Sequence, residues 1–469
     1  MEYITMPAER VPLVSKADVV VVGGGPAGFG AAVRAAQGGA DTVVIERFGS
    51  PGGMVTNGLM CVCVGEPLGG LHTELLTGLG DAGYAYNPLE RFPGLSSNPL
   101  FHYYGPNIAP KRKTAAKITV FDPIVAAVVM SRMMEESGVR FLLRTLFVDA
   151  VVENGTVSGV IVENASGRQA VVGKIFIDAT GRGDVAARSG VSFTRAGNEK
   201  GLPIPPGLMW SMAGVDYERL FAYQEQDPGL DTPMEKAGAN GDLPHYRPKR
   251  MDTYGGAYTG HPCLEMCPTL FPGDMLLWAP AVYEWGLNCA ESAEDLTRAE
   301  IELRKHIMAE ADFLKKYVPG FENARVSGIA PFMGIREGRH PQGEYVMPYE
   351  DIREERRFED AALRRKSFDW ADIGHGDRLL TFDIPFRCFL AKGADNLLLA
   401  GDNISMEHKA LLHMRGFGMA VRTGEVAGVA AAQCTGEGIR PRDIEWKGPL
   451  NSILKDEKAG PRVLEKPPR

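Results

Sequence analysis

The chain has 469 residues, including 56 glycines and 32 prolines, and its 51 basic against 59 acidic side chains give a formal net charge of −8. Glycine at about 12% exceeds the ~7% usual for soluble proteins, yet no G-X-Y period or repeated block accompanies it; this excludes collagen-like and low-complexity chains and requires glycine in specific turns. The mildly acidic balance, without a basic block, disfavours a nucleic-acid surface, and 44% hydrophobic content over this length supports two or three domains.

The N-terminal stretch MEYITMPAERVPLVSKAD carries early acids and no continuous apolar segment. It does not read as a secretory signal, and a cytoplasmic protein is expected. No run of ~18 uncharged apolar residues occurs, so no membrane span is expected. Residues 18–22, Asp-Val-Val-Val-Val, form a short β-branched run that stops at Gly23-Gly24-Gly25, the pattern of a buried strand. An alanine-rich helix over Phe29 to Gln37 follows, stopped by Gly38-Gly39, and Thr42 to Ile45 is a second buried strand ending at Glu46. Together they make a βαβ unit with parallel strands.

Residues 47–114 are rich in Gly, Pro, Asn and Tyr and read as covering loops with one short helix near Leu71 to Leu79. A helix from Ile124 through Glu136 follows, then a strand beginning at Arg140. Val148 to Val152, Val157 to Val162 and Ala170 to Ile177 form a β-meander, because Asn154-Gly155 and Ser166-Gly167 are hairpin signals. Between 200 and 390 the pattern changes to short strands, such as Leu208 to Met212 and Met275 to Trp278, with one long helix. Ser292 is its N-cap, Leu303, Ile307, Ala311 and Leu314 share its buried face, and Pro319-Gly320 ends it. A last apolar strand, Asn396 to Ala400, and a small-residue helix over Gly418 to Ala432 resemble the first region in style. The expected architecture is α/β: a discontinuous domain of parallel sheet plus β-meander, 15–195 with 393–440, an inserted α+β domain over 196–392, and a polar tail over 441–469.

Gly23-Gly24-Gly25-Pro26-Ala27-Gly28 satisfies G-x-G-x-x-G between a strand and a helix, the context in which that motif has a mechanism. Gly23 permits a tight turn, Gly25 lets backbone approach a pyrophosphate, Gly28 lets helix and strand pack closely, and the helix start offers N–H groups to the anion. Glu46, at the next strand end, is spaced to accept hydrogen bonds from ribose hydroxyls. The motif alone leaves NAD and FAD both open.

Two further strands end in glycine turns, Asp178-Ala-Thr-Gly181 and Ala400-Gly401-Asp402, and Arg47 and Gly52-Gly53-Met54 follow Glu46. With Gly-Arg-Gly-Asp184, Val318 to Ala324, Gly334-Ile-Arg-Glu-Gly-Arg339, Gly343-Glu-Tyr345 and Asp383 to Arg387 in order, the chain resembles the bacterial FAD-dependent oxidoreductases with a glutathione-reductase-like FAD domain, related to fumarate reductase and succinate dehydrogenase flavoproteins. The resemblance implies a Rossmann-like FAD-binding domain with an inserted substrate or cap domain, FAD as cofactor and flavin-centred hydride transfer. It implies FAD contacts from Gly23, Gly25, Pro26, Ala27, Gly28, Glu46, Arg47, Gly52, Gly53, Met54, Phe147, Thr180, Gly181, Gly401, Asp402, Gly416, Phe417 and Gly418. Arg182 and Asp402-Asn403 depart from the family, which often has Asp and Arg-Cys there; Asp402 is nonetheless assigned to FAD, because Asp after Gly at a strand end serves that role in many FAD proteins.

Ser405, His408, Ala410 and Arg415 match the family pattern, and Arg415-Gly-Phe-Gly418 would put a helix N-terminus at the flavin N1–C2=O edge, where reduction places negative charge. His408 is a candidate proton-transfer group, and Arg336, Arg339 and Arg415 are candidate clamps for a substrate carboxylate or carbonyl. A structural histidine and an Arg336–Glu337 ion pair are the competing readings. Covalent and non-covalent FAD are both left open, with His72 and His102 in candidate loops for attachment. The seven cysteines fit neither a disulfide framework, a flavin dithiol nor an iron–sulfur run, and His261 with Cys263 and Cys267 lacks a second ligand pair, so no metal is expected. The leading reading is a dehydrogenase or reductase acting on a small oxygenated metabolite. A flavin monooxygenase and a non-catalytic flavin-binding protein are the alternatives. The motifs encode neither the substrate, the electron acceptor or donor, nor the oligomeric state.

Overall fold

Val19 to Val22 are at most 2% exposed, because the strand that carries them sits between parallel neighbours and beneath helices. The computed structural model describes residues 4, 10–64, 68–88, 118–195, 197, 203–204, 206–227, 230–242, 266–280, 288–368 and 379–449. His102, His261, Cys263 and the tail from 450 lie outside the described residues. Leu13–Val22 pairs in parallel with Thr42–Ile45 on one side and Gly167–Asp178 on the other. Arg140–Leu142 extends the sheet beyond Thr42–Ile45, and Leu397–Leu399 joins the far side of Gly167–Asp178, also in parallel. Val22 lies opposite both Ile45 and Asp178, and Asp178 opposite Leu399. The turns that follow these strands therefore leave the sheet at one edge, where open α/β sheets take their ligands.

The meander Leu146–Glu153, Thr156–Asn164, Gly167–Asp178 runs antiparallel, and its last strand belongs to both arrangements. The first half pairs back to Thr156–Asn164, the second with Leu397–Leu399. Asn154 and Gly155 both have positive φ, 51° and 78°, the geometry expected of an Asn-Gly hairpin.

The first helix starts at Pro26, three residues earlier than its alanine-rich stretch suggests, because proline is well suited to the first helical position. It packs against the C-terminal helix Phe417–Glu437 through a seam of small residues. A Cβ on Gly30 would lie 2.4 Å from the Val421 carbonyl oxygen, and one on Gly428 2.3 Å from that of Ala31. Backbone touches backbone there. Buried Glu425 ties the two helices to a third, Gly70–Asp81: it accepts from Arg34 Nε at 2.8 Å, Arg422 Nη1 at 2.5 Å and the Leu71 N–H at 3.1 Å.

A second, antiparallel sheet comprises Met266–Pro268, Asp274–Pro280, Gly207–Ala213 and Arg325–Ile329. The helix Ala293–Tyr317 covers it, with Leu303, Ile307, Ala311 and Leu314 at most 3% exposed and the Ser292 side chain capping Asp295 N–H. The hairpin Ala361–Phe368 with Leu379–Pro385 and the short helix His408–Met414 had no separate sequence signal. The polar tail expected from 441 is corrected at its start: Pro441–Asp443 forms a turn and Trp446 stacks on Phe386 at 4.6 Å, because Phe386 offers the indole an apolar partner. Among the described residues no helix is long and apolar enough to cross a membrane.

Candidate functional site

Gly23 has φ +100°, and a Cβ there would sit 2.4 Å from the Ala179 carbonyl oxygen, so the turn excludes any side chain. A Cβ on Gly28 would sit 1.7 Å from the Gly23 carbonyl oxygen, which is the close helix–strand approach expected of the third glycine. Gly25 is different. Its φ of −66° suits any residue, and an added Cβ meets nothing within 4 Å, although the residue is half-buried. Glycine here keeps a space open. No side chain caps the first turn of the helix, so the N–H groups of Ala27 and Gly28, behind Pro26, face that space.

The Gly52 N–H donates to the Gly24 carbonyl at 2.8 Å, and a Cβ on Gly53 would lie 3.1 Å from Gly25 Cα, so this loop covers the turn. The Met54 thioether lies against Gly334. Glu46 is 4% exposed and accepts from Gly24 N–H at 2.6 Å and Phe48 N–H at 2.8 Å, one on each oxygen. Each oxygen keeps a second lone pair for a hydroxyl donor. Burial raises the Glu46 carboxyl above its ordinary range, against those two hydrogen bonds. Arg47 is exposed, its guanidinium 4.7 Å from the Phe48 ring and 5.6 Å from that of Phe332. Phe147 is half-buried opposite Val162, packed on the core.

The other two strand ends are joined by Asn403. Its Nδ2 donates to Asp178 Oδ1 at 2.9 Å and its Oδ1 accepts from Gly183 N–H at 2.9 Å. Asp178, fully buried, also accepts from the Thr180 N–H and hydroxyl and from Ala186 N–H, and burial pushes it up to about 6 despite these donors. Half-buried Gly181, like Gly25, has nothing within 4 Å of an added Cβ. The Gly401 N–H donates to Thr423 Oγ1 at 3.0 Å, and its Cβ position lies 3.0 Å from Ala27 Cβ, so the third strand end abuts the first turn.

Glu337 gathers two histidines. Its Oε1 accepts from His408 Nδ1 at 2.6 Å and His340 Nε2 at 2.8 Å, and its Oε2 from Ile204 N–H at 2.8 Å. Burial works to raise the Glu337 carboxyl, but the hydrogen bonds from His340 and His408 outweigh it and hold it at about 2. Asp402 is pushed up to about 6 by burial, with Arg415 opposing and His340 and Glu337 also within its field. Arg339 points elsewhere: it donates to Asp184 Oδ1 at 3.0 Å and to the Arg182 carbonyl at 3.1 Å, inside the Gly181 to Asp184 turn. Gly416, φ +119°, begins the C-terminal helix without a side-chain cap, and an added Cβ there also meets open space. Phe417 sets its edge on His72 at 4.9 Å, and Gly418 leaves room for the same imidazole.

Residues 18–454 match the family described as FAD dependent oxidoreductase. The chain belongs to that family. FAD is accordingly its cofactor, and the residues fit it: Gly25 and Gly181 at one sheet edge leave backbone open where a Cβ would intrude, beside an uncapped helix start and a strand-end glutamate. The curated dihydrolipoyl dehydrogenase of Vibrio cholerae serotype O1 is 57% identical over 42 residues, which span 9% of each chain. Among solved structures, a geranylgeranyl bacteriochlorophyll reductase-like protein of Thermoplasma acidophilum is 14% identical, with 90% of this chain and 79% of that one covered and a TM-score of 0.41. The p-nitrophenol 4-monooxygenase PnpA of Pseudomonas putida DLL-E4 is 13% identical, with 91% and 81% covered and a TM-score of 0.41.

In this FAD dependent oxidoreductase the three strand-end motifs come together, whereas Arg339 is held by Asp184; Phe147 is half-buried against the core. The Glu337 carboxylate is taken by two histidines and a backbone N–H rather than reserved for Arg336. His72 is fully buried, its Nδ1 accepting from Leu68 N–H and its Nε2 3.4 Å from Cys63 Sγ, and burial followed by Arg422 and Arg365 lowers it to about 4. Both nitrogens are engaged, which argues against its use as a flavin attachment point. Sequence reasoning missed Glu337, His340 and Asn403. His340 and Asn403 had no periodic or motif signal, while Glu337 stood next to an arginine that explained it too cheaply.

Proposed function

We propose that this chain is a dehydrogenase or reductase that moves a hydride equivalent to or from a small oxygenated metabolite. The reading is carried by His408, a partly exposed imidazole whose Nδ1 is tied to an ionised, buried carboxylate, next to the strand-end turn that carries Asp402. Bound FAD supplies the hydride acceptor or donor. In the oxidative direction the hydride leaves the substrate carbon with its electron pair, and His408 Nε2 takes the hydroxyl proton, leaving a carbonyl; reduction returns both. Such proton transfer contributes about 10²–10⁴-fold. Arg415 and Arg336 orient the substrate's polar group, and Arg339 holds the Gly181 to Asp184 turn. Segments 15–195 and 393–440 hold the cofactor, while 196–392 covers the substrate.

The test is anaerobic bleaching of the FAD-loaded protein against a panel of hydroxy acids, alcohols and amines, followed by reoxidation with carbonyl and enoate compounds. Bleaching by one compound, slowed at least 100-fold by His408→Gln with FAD binding retained, is the expected result. Incorporation of an oxygen atom from O₂ into a product would instead establish a monooxygenase, and inertness across the panel with FAD bound would favour a non-catalytic flavoprotein.

A further inference from the structure

Two histidines meet one carboxylate oxygen, but their surroundings differ. His340 is 3% exposed and its Nδ1 is buried with no hydrogen-bond partner among the described residues. An N–H on Nδ1 would be a buried donor without an acceptor, which is costly, so the proton that His340 gives to Glu337 is the one on Nε2. His408 keeps 13% of its side chain exposed, and its Nδ1 is engaged while its other nitrogen is the one available for exchange. Glu337 itself is out of solvent and takes three donors from three separate segments: Ile204 before the second sheet, His340, and His408 at the start of its helix. Three of its roughly four acceptor sites are filled by N–H groups, which keeps it ionised.

We propose that Glu337 is the positioning residue of the acid–base unit: its carboxylate fixes His408 with the proton on Nδ1 and the basic lone pair on Nε2, and His340 is the buried anchor that holds the carboxylate in place. The proposal rests on the reading of His408 as the proton-transferring group, yet it makes a separate claim about which nitrogen is protonated. The arrangement follows the logic by which a buried carboxylate sets the tautomer of a catalytic imidazole. Among the described residues, Glu337 and His340 from the 334–341 segment act on this unit, and Asp402, on the strand-end turn, lies in the field of Arg415, His340 and Glu337. Asp402 and Arg415 carry opposite charges when both ionise, so the fixed charge of Glu337 sets the tautomer.

Glu337→Gln tests this with little change of size. A glutamine has one accepting oxygen and one donating NH₂, whereas the site presents N–H donors to both positions. With its oxygen toward the histidines it faces Ile204 N–H with a second donor; flipped, it turns its NH₂ on His408 and His340 and forces the proton of His408 onto Nε2. The experiment is ¹⁵N NMR of histidine-labelled, FAD-loaded full-length protein above the imidazole titration range, with His408 and His340 signals assigned through His408→Gln and His340→Gln. The expected wild-type result is a protonated Nδ1 on His408. In Glu337→Gln the two nitrogens exchange roles or mix, and the rate with the panel compound that bleaches the wild-type flavin falls about 10²–10⁴-fold. Glu337→Asp, which restores a carboxylate, recovers the wild-type tautomer and part of the rate. A wild-type His408 protonated on Nε2 overturns the proposal even if no variant folds, as does a folded, FAD-binding Glu337→Gln with an unchanged tautomer. If His408→Gln leaves bleaching unaffected, the acid–base reading fails, and the NMR result still decides the tautomer claim on its own.

Discussion

Gly424→Ala tests how closely the cofactor turn depends on the helix seam behind it. An ideal Cβ on Gly424 lies 2.0 Å from the Ala27 carbonyl oxygen, 2.8 Å from its carbon and 3.0 Å from Ala27 Cα. Restoring an ordinary 3.4 Å contact requires the two helices to part by about 1.4 Å. The atoms in the way are backbone, which cannot rotate aside, so the overpacking cost falls toward the upper end of the ~1–3 kcal/mol range. Alanine's better helix propensity returns up to about 1 kcal/mol, leaving a net loss of roughly 1–2 kcal/mol. Ala27 belongs to the turn that faces the open space at Gly25, so the displacement is also expected to weaken FAD binding by about tenfold, equivalent to ~1.4 kcal/mol. Gly436→Ala is the internal control: it lies in the same helix, is exposed, and an added Cβ meets nothing within 4 Å. It should stabilise by about 0.4–1 kcal/mol. The assays are calorimetric unfolding of the apo-protein and flavin fluorescence titration. If both substitutions raise the melting temperature and leave FAD affinity unchanged, the seam yields freely and the argument from backbone contact is wrong.

Gly25→Ala meets no atom of the described residues within 4 Å and has a compatible φ, so apo-protein stability should be unchanged or slightly higher while FAD affinity falls at least tenfold; equal affinity in the fluorescence titration would remove the turn from the cofactor site. Glu425→Gln leaves the buried Arg34 and Arg422 charges undercompensated and should cost about 3–5 kcal/mol in urea unfolding, with a loss below 1 kcal/mol contradicting a buried network. Burial raises folded Asp402 to about 6 from its ordinary 3.8, so between those values the folded apo-protein holds a proton that the unfolded chain has released. The Asp402 contribution to stability should therefore decline as pH rises from about 4 to about 6 and level off above. Asp402→Asn should flatten that slope in urea titrations, and an identical slope would show that the carboxyl titrates normally.

The candidate cofactor half of the site was legible because its signals are local. A β-branched run, three glycines at fixed offsets, a helix-start proline and a strand-end glutamate all lie within residues 18–46, and each acts through its own backbone geometry or that of a near neighbour. The same holds for Asn154-Gly155 and for the Ser292 cap with its spaced apolar face. The helix seam and the acid–base cluster were not legible in this way. Glu337 meets His408 across 71 positions, Asn403 meets Asp178 across 225, and Glu425 meets Arg34 across 391. Arg339 shows the converse: its motif spacing suggested a substrate clamp, and Asp184, 155 positions away, occupies it. The sequence by itself determined the strand-turn-helix expected to take the FAD pyrophosphate, because glycine placement and periodicity specify backbone conformation over a few residues. Only the tertiary structure decided which carboxylate holds which histidine and which arginine is already paired, because side chains distant in sequence become hydrogen-bond partners through sheet register and helix packing, and neither leaves a local trace.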